Sequence, residues 1–149
     1  MPAPIIEVVN LNKQFEVKSK TASLFRKPAQ VKVLSDISFK LNAGETLSIV
    51  GESGCGKTTL GRCIVRGMSA TSGQVTYRPE EGEPTDFLRA EGQQFKKLRK
   101  DIQMIFQDPY SSLSPRMSVY DIIAEPLVAN FKLSRSQLDE KVEAIARQT

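Results

Sequence analysis

One short segment constrains this chain more than any other. Residues 51–58 read Gly-Glu-Ser-Gly-Cys-Gly-Lys-Thr, which matches the pattern G-x-x-x-x-G-K-[ST] at every position. The segment follows a short β-forming run, 46–50, and precedes a helical pattern over 57–66 that Gly67 ends. A strand, a glycine loop and a helix in this order predict an α/β or α+β architecture with a strand-loop-helix unit at its centre.

The residue types of this loop indicate what it binds. Glycines allow backbone dihedral angles that are closed to other residues, so several N–H groups can converge on one phosphate. The helix that follows points its positive end at the same anion. Lys57 supplies a mobile charge for the β- and γ-phosphates, and the Thr58 hydroxyl is placed as a Mg²⁺ ligand. The predicted nucleotide-binding residues of the loop are Gly51, Glu52, Ser53, Gly54, Cys55, Gly56, Lys57, Thr58 and Thr59.

Composition excludes several other kinds of chemistry. The 149 residues, 40% of them hydrophobic, have the size of one globular domain, and no apolar run approaches the roughly 20 residues that span a bilayer. The chain has no histidine, so zinc sites of the common type and serine-histidine triads are excluded. The net charge of +4 is mild and does not imply binding to a polyanion. The first four residues carry no secretory pattern, so we expect a cytoplasmic protein.

The two cysteines are too few for a disulfide framework. Cys55 occupies an unconstrained position of the loop, where a small residue fits. A thiol beside backbone N–H groups and a lysine should have more thiolate character than a buried thiol. We therefore expect alkylation of Cys55 to block nucleotide binding sterically, whereas Cys63, in the following helix, is predicted to be packed in the core.

Periodicity and capping signals predict the remaining elements. Strands are predicted over 5–15, 35–41, 74–77 and 102–106, with a basic exposed connection over 17–33 and a turn over 42–45. The polar stretch 78–94 is predicted to be a loop that allows one helical turn. Ser118 and Asp121 match a capping box, and Pro126 is predicted to end the helix that follows at Glu125. A second capping box, Ser134 with Gln137, precedes an amphipathic helix.

A second motif narrows the class of nucleotide-binding protein. Residues 104–117 read Met-Ile-Phe-Gln-Asp-Pro-Tyr-Ser-Ser-Leu-Ser-Pro-Arg-Met, an apolar run that ends in Gln107. This arrangement resembles the Q-loop of ATP-binding cassette (ABC) transporter ATPases. The phosphate loop, the basic insertion with Leu24-Phe25-Arg26, and segments 106–110 and 122–127 resemble the dipeptide and oligopeptide importer branch, and the similarity covers essentially the whole chain.

The resemblance implies a fold and roles for particular residues. The fold is an α/β phosphate-loop NTPase core of the ABC ATPase type with an antiparallel β subdomain, and residues 1–149 are the amino-terminal portion of one nucleotide-binding domain. Phe15 resembles the aromatic residue that stacks on adenine, a contact worth about 1–3 kcal/mol. Gln107 resembles the residue whose side-chain carbonyl reaches Mg²⁺ and the attacking water. Segment 108–117 corresponds to the place where a membrane subunit docks.

The same resemblance implies partners and a cellular location. The partners are membrane-spanning permease subunits, a second ATPase subunit that is identical or different, and indirectly a periplasmic peptide-binding protein, with no nucleic acid. The location is the cytoplasmic face of the bacterial inner membrane. The complete subunit would hydrolyse ATP to energise peptide import.

The sequence departs from the family pattern in what it does not contain. It has no L-S-G-G-Q signature, no Walker B strand with its aspartate and glutamate, and no switch histidine. We therefore expect these 149 residues to bind ATP without turning it over, because groups that act on the attacking water are missing. An exposed hydrophobic strand edge, which promotes aggregation, is also expected.

Three alternatives remain at this point. The sequence pI of 9.1 and the basic insertion suit a nucleic-acid-handling ATPase of the same superfamily, which salt-sensitive DNA binding would reveal. An importer subunit for nickel or another small solute shares the same motifs. A catalytically inactive nucleotide-binding module that is complete as it stands is the third.

Overall fold

The computed structural model describes residues 3–17, 29–80, 82–108 and 113–148. The chain divides into two units, Met1–Met104 and Ile105–Thr149. In the part of the chain that the structure describes, the first unit contains one four-stranded sheet and two helices, and the second unit contains two further helices. Among the described residues, no helix is both long and apolar enough to cross a membrane.

The sheet of the first unit is antiparallel throughout. Its strands are β1 (Ile6–Val17), β2 (Ala29–Leu41), β3 (Ser72–Tyr77) and β4 (Thr85–Asp86), in the order β2-β1-β3-β4. All three neighbouring pairs are antiparallel, and the β1–β2 register shifts at three places, so the long β1–β2 ribbon is irregular. This sheet is the antiparallel β subdomain that the sequence predicts.

Two helices pack against the sheet and contribute to its core. Helix α1 (Lys57–Ile64) buries Leu60 and Cys63, and helix α2 (Gly92–Asp101) buries Leu98. These side chains belong to the same cluster as the fully buried sheet residues Val8, Leu11 and Val75. Burying each such side chain contributes roughly 1.5–3 kcal/mol. Cys63 is packed as predicted, and burial raises the pKa of its thiol.

A glycine allows β3 to approach β1 closely. A Cβ atom on Gly73 would lie 2.6 Å from both the Asn10 carbonyl oxygen and the Leu11 Cα, and the φ of Gly73 is +107°. Both neighbouring atoms are backbone atoms of the central strand, so they cannot swing away. Only glycine fits this position without moving the sheet.

The hairpin strands are longer than periodicity predicts. The strand predicted over 35–41 begins at Ala29, so residues 29–33 of the predicted connection are part of β2. Pairs such as Phe15–Val31 and Val17–Ala29 extend the ribbon, because hydrogen bonding to a neighbour decides strand length where the apolar pattern is weak. Residues 18–28 of the predicted basic connection lie outside the described residues.

The predicted polar loop over 78–94 also contains regular structure. Thr85 and Asp86 pair with β3, and helix α2 begins at Gly92 and places Phe95 and Leu98 on the core. Strand β4 has only two residues, which is too short to show the alternation of apolar and polar residues by which a strand is predicted. The helical turn allowed for in this stretch is present as the start of α2, whereas the pairing of Thr85 and Asp86 with β3 was not predicted.

Two predicted strands are not formed. Neither 46–50 nor 102–106 pairs with a strand among the described residues. Both segments expose apolar side chains, with Val50 88% and Ile105 95% exposed. A strand needs a hydrogen-bonded neighbour, and the antiparallel sheet includes neither segment. Segment 46–50 therefore has exposed apolar side chains but, because it forms no strand, not the exposed strand edge that the sequence predicts.

The helix after the glycine loop is shorter than predicted. It ends at Ile64, and Arg66 adopts a left-handed backbone with φ +52°. The Arg66 and Met68 amides close this end on the Cys63 and Arg62 carbonyls. The chain therefore turns away before Gly67, which the sequence suggests as the end of the helix.

The second unit is a pair of capped helices. Helix α3 (Val119–Asn130) and helix α4 (Arg135–Ala146) both start at complete capping boxes, Ser118 with Asp121 and Ser134 with Gln137, as predicted. The Tyr120 hydroxyl donates to Asp139 of α4, and this hydrogen bond raises the pKa of Tyr120.

The predicted end of α3 at Glu125 is wrong. Pro126 removes one helical N–H, yet the helix continues to Asn130. The Phe131 amide bonds the Leu127 carbonyl at 2.9 Å, and the Asn130 side chain bonds the Pro126 carbonyl at 2.9 Å. Hydrogen bonds beyond the proline therefore sustain the last turn.

Candidate phosphate-binding site

The glycine loop between residue 50 and α1 has the backbone that its sequence predicts. Gly54 and Gly56 have φ values of +81° and +102°, both in the left-handed region. A Cβ atom on Gly56 would lie 3.0 Å from the Val33 carbonyl oxygen, whereas nothing lies within 4 Å of one on Gly54. The loop therefore rests against β2 at Gly56, and glycine permits this contact.

The start of α1 is open to an anion. Gly56 is the N-cap residue and cannot cap the helix with a side chain, and no acidic residue stands in the first turn. The intrahelical ladder begins with the Leu60 amide donating to the Gly56 carbonyl at 2.8 Å. Amides of the first turn lie ahead of that ladder, so they can donate to a bound group.

Lys57 folds back over the loop. Its Nζ donates to the carbonyl oxygens of Gly51 and Glu52, each at 2.7 Å, and lies 3.6 Å from the Cys55 sulfur. A full positive charge is thus held at the same loop as the open helix end. Both features attract the same ligand, an anion with several oxygen atoms.

The other predicted loop residues are mostly open to solvent. Glu52, Ser53, Cys55 and Thr58 are exposed, while Thr59 is half-buried. The Cys55 sulfur would lie 2.8 Å from a Cβ atom on Gly51, so the thiol is on the inside of the loop's bend. Bulk added to this sulfur would fill the loop, which fits the expected effect of alkylation.

Phe15 lies on the face of the hairpin that meets the loop. The Val33 side chain contacts the position of a Gly56 Cβ at 3.2 Å, but Val33 lies at a register shift of the hairpin. The next residue, Leu34, which pairs with Lys13, also contacts this position, with its Cδ2 at 3.3 Å. Lys13 and Phe15 are two residues apart on β1 and the Lys13 ammonium lies over the Phe15 ring, so Phe15 shares the face of Leu34. Phe15 is 37% exposed, which leaves ring surface available.

Sequence reasoning missed Lys13. Its Nζ lies 4.8 Å from the centre of the Phe15 ring and donates to the Ser69 carbonyl at 2.7 Å. A cation over an aromatic face attracts the ring and fixes it. The signal was available, because residues two apart on a strand share a face.

Gln107 belongs to the second unit, where it is exposed. Its predicted contacts with metal and water therefore stay predictions. The predicted docking segment is described at Asp108 and over 113–117, and residues 109–112 lie outside the described residues.

The described residues suit a magnesium ion that arrives with phosphate groups. No group of three or more His, Cys, Asp or Glu side chains in the described part of the chain could hold a metal ion. Mg²⁺ commonly takes one or two protein ligands and completes its shell with phosphate oxygens and water. The exposed Thr58, beside the open helix end, offers one such oxygen.

Several curated proteins are similar to this chain over nearly its whole length. The oligopeptide transport ATP-binding protein OppF of Haemophilus influenzae is 44% identical over 142 residues, which are 95% of this chain and 41% of OppF. The dipeptide transport ATP-binding protein DppF of the same organism is 42% identical, covering 93% of this chain and 40% of DppF. AppF of Bacillus subtilis, an oligopeptide transport ATP-binding protein, is 42% identical over 142 residues. The chain thus spans about two fifths of the length of these relatives.

Solved structures agree on the fold. A dimeric post-hydrolysis state of the ATP-binding cassette MJ0796, bound to ADP and Pi, superposes with a TM-score of 0.70 at 20% identity, over 93% of this chain and 54% of that one. The cbiO1 structure from Clostridium perfringens, part of an ABC transporter complex, gives a TM-score of 0.61 at 26% identity. The match covers 96% of this chain and 49% of cbiO1. The predicted fold class, an ABC ATPase core with an antiparallel β subdomain, is confirmed.

The family model described as ABC transporter matches residues 34–149, which include the glycine loop, α1 and the whole second unit. That match covers most of the chain and agrees with the relatives and with the geometry of the loop. The chain belongs to the ABC transporter family.

Proposed function

We propose that residues 51–59 bind the polyphosphate of ATP together with Mg²⁺. The observation that carries this proposal is the Lys57 ammonium held at an uncapped helix end, 2.7 Å from two loop carbonyls. Carbonyl oxygens compensate the ammonium weakly, so a phosphate oxygen is a better partner for it. When phosphate enters, Lys57 exchanges these carbonyls for the β- and γ-phosphates.

The other site residues complete the nucleotide complex. The Thr58 hydroxyl coordinates Mg²⁺, which neutralises phosphate charge. Phe15 stacks on adenine from the hairpin face that meets the loop. Leu34 contacts the position of a Gly56 Cβ at 3.3 Å, and its partner Lys13 lies over the Phe15 ring. Phe15 and Gly56 are therefore on one face of the hairpin, as a nucleotide that touches both requires.

Thermal unfolding with and without Mg-ATP tests the site. At a ligand concentration near a hundred times Kd, binding stabilises the chain by about 2.7 kcal/mol. Lys57→Ala removes the charge and is expected to abolish this increment. Lys96→Ala, at an exposed lysine on α2, is the matched control and should keep it. Undiminished stabilisation in Lys57→Ala would count decisively against the assignment.

For the whole protein, we infer ATP-driven import of dipeptides or oligopeptides at the cytoplasmic face of the bacterial inner membrane. The support is that relatives with 42–44% identity are dipeptide or oligopeptide transport ATP-binding proteins. Permease subunits and a second ATPase subunit are its direct partners, and a periplasmic peptide-binding protein acts through them. Residues 1–149 form the amino-terminal portion of one nucleotide-binding domain.

Uptake by cells distinguishes this function from its nearest alternative. Cells whose whole protein carries Lys57→Ala should lose uptake of labelled di- and oligopeptides and retain uptake of nickel. Loss of nickel uptake with normal peptide uptake would instead support the small-solute alternative.

The 149 residues by themselves are expected to bind without turnover. Gln107 would orient the attacking water, but the groups that polarise this water in the complete subunit are not among these residues. Purified chain should therefore show ATPase activity at background level. Magnesium-dependent hydrolysis that disappears in Lys57→Ala would refute this expectation.

A further inference from the structure

A second cleft of the first unit lies apart from the glycine loop. Its volume is about 400 Å³, within the range of small-molecule sites. Its lining includes two arginines, Arg66 and Arg89, and three hydroxyl residues, Ser69, Thr71 and Ser72. None of residues 51–59 lines it. We name it the Arg66 cleft and propose that it binds a small anion of the phosphate class.

Arg66 is the charge that points to an anion. Its Nη1 donates to the carbonyls of Phe87 and Ala90, and its guanidinium lies 4.0 Å from the centre of the Phe95 ring. These contacts fix a half-buried guanidinium in place. No carboxylate of the described residues forms an ion pair with it. A positioned, half-buried cation without a counter-charge favours binding of an anion.

The hydroxyl groups on the cleft wall can act as donors. The Thr71 hydroxyl accepts a hydrogen bond from the backbone N–H of Gln14 at 2.9 Å. The hydroxyl proton of Thr71 is therefore free to be donated. The hydroxyls of Ser69 and Ser72 make no hydrogen bond to other described residues. The wall therefore offers several O–H donors beside a fixed guanidinium.

Two further cations surround the cleft. Arg89 is exposed and pairs with Asp86 at 3.3 Å, so part of its charge is compensated. The Lys13 ammonium donates to the Ser69 carbonyl on the wall at 2.7 Å. The cations exceed the nearby carboxylates, so the local potential is positive.

The number of donors selects the class of anion. A carboxylate offers two acceptor oxygens, whereas a phosphate offers three or four in a tetrahedral arrangement. Guanidinium donors and three separate hydroxyls match the larger set better. The phosphate can be free inorganic phosphate or the phosphate of a lipid headgroup, which share this chemistry.

Arg66 also stands at a backbone position that suits glycine. Its φ of +52° lies in the left-handed region, and Gly67 follows it directly. An arginine is strained there. The contacts with Phe87, Ala90 and Phe95 hold the side chain in one position, and Arg66 itself belongs to the lining of the cleft.

Calorimetric titration with inorganic phosphate tests the proposal in the full 149-residue chain. The Lys57→Ala variant is used, at constant ionic strength, so that the glycine loop does not take up the phosphate. Adding Arg66→Gln should weaken phosphate binding by about tenfold or more, because charge-assisted hydrogen bonds are lost. Adding Arg66→Lys keeps the charge without the fork of donors and should give a smaller loss.

A second variant and a second probe complete the test. Arg89→Gln, at an exposed side chain, should fold normally and weaken phosphate binding less than Arg66→Gln. If inorganic phosphate does not bind, vesicles of phosphatidylcholine with phosphatidic acid should bind the chain, and Arg66→Gln should abolish this binding.

Two outcomes would overturn the proposal. One is binding to neither probe. The other is phosphate or vesicle binding of equal strength with and without Arg66→Gln. Mg-ATP binding in the Arg66→Gln variant with Lys57 intact is measured separately, so failure of the nucleotide site and failure of the Arg66 cleft give different results.

Discussion

Two glycines of the phosphate loop offer a matched pair of substitutions. Gly54 and Gly56 both have left-handed φ values, +81° and +102°, so alanine is strained at either position. They differ in the room available for a side chain, since a Cβ atom on Gly54 would have no neighbouring atom within 4 Å. On Gly56 it would meet the Val33 carbonyl oxygen at 3.0 Å and Leu34 Cδ2 at 3.3 Å. Gly54→Ala therefore isolates the backbone effect, and Gly56→Ala adds crowding.

The expected magnitudes follow from these distances. The left-handed conformation costs a residue with a side chain about 1–2 kcal/mol, which is the full expectation for Gly54→Ala. Overpacking adds about 1–3 kcal/mol, so Gly56→Ala should destabilise the chain by about 2–5 kcal/mol. The crowding atom belongs to the β2 backbone, so the loop must move instead. That movement displaces the start of α1 and weakens Mg-ATP binding as well.

Urea unfolding and calorimetric titration with Mg-ATP measure both effects. The larger loss of stability and of ATP affinity should occur in Gly56→Ala. Equal effects of the two substitutions would show that contact with β2 does not hold the loop. A larger effect of Gly54→Ala would refute the reasoning.

Three other predictions concern the sheet, its charges and its exposed apolar segment. Gly73→Ala, whose Cβ would meet strand backbone at 2.6 Å, should lower the urea midpoint far more than Gly44→Ala at an open turn, and equal midpoints would contradict this. Hydrogen bonds from Arg78 and then Lys40 lower the pKa of Glu7 below its ordinary value of 4.5. The unaltered chain should therefore be more stable than Glu7→Gln above pH 4.5, and this difference should disappear as the pH falls through the lowered pKa of Glu7. An advantage unchanged down to about pH 2 would contradict it. Val50→Lys, at a residue 88% exposed, should reduce aggregation in light scattering without lowering the urea midpoint, and unchanged aggregation would count against it.

Sequence reasoning succeeded where a local rule determines the structure. The glycine loop, the Ser118 and Ser134 capping boxes and the burial of Cys63 follow from dihedral freedom, side-chain hydrogen bonding and amphipathic spacing. Each of these depends on residues close together in the chain. The resemblance to ABC ATPases likewise began from short contiguous segments, the phosphate loop and the run that ends in Gln107.

Sequence reasoning failed where residues far away in the chain determine whether a segment forms a strand or a helix. The apolar runs 46–50 and 102–106 satisfy every local preference for a strand, yet neither has a neighbour in the sheet. Thr85 and Asp86 form a strand against local preference because Thr76 and Tyr77 pair with them. Helix α3 continues past Pro126, because hydrogen bonds beyond the proline compensate for the missing N–H.

The candidate site shows the same division. The loop residues could be predicted because they form one uninterrupted motif in the sequence. The placement of Phe15 on the loop face depends on the pairing of β1 with β2, and the left-handed backbone of Arg66 depends on how α1 ends. Sequence spacing contains neither piece of information.

Backbone amide shifts on addition of Mg-ADP test the central claim most directly. If the loop amides and the Lys57 ammonium surround the polyphosphate, the largest nuclear magnetic resonance shifts should fall on residues 54–59 and disappear in Lys57→Ala. Absence of shifts in these amides at saturating nucleotide, or the same shifts in Lys57→Ala, would contradict the account.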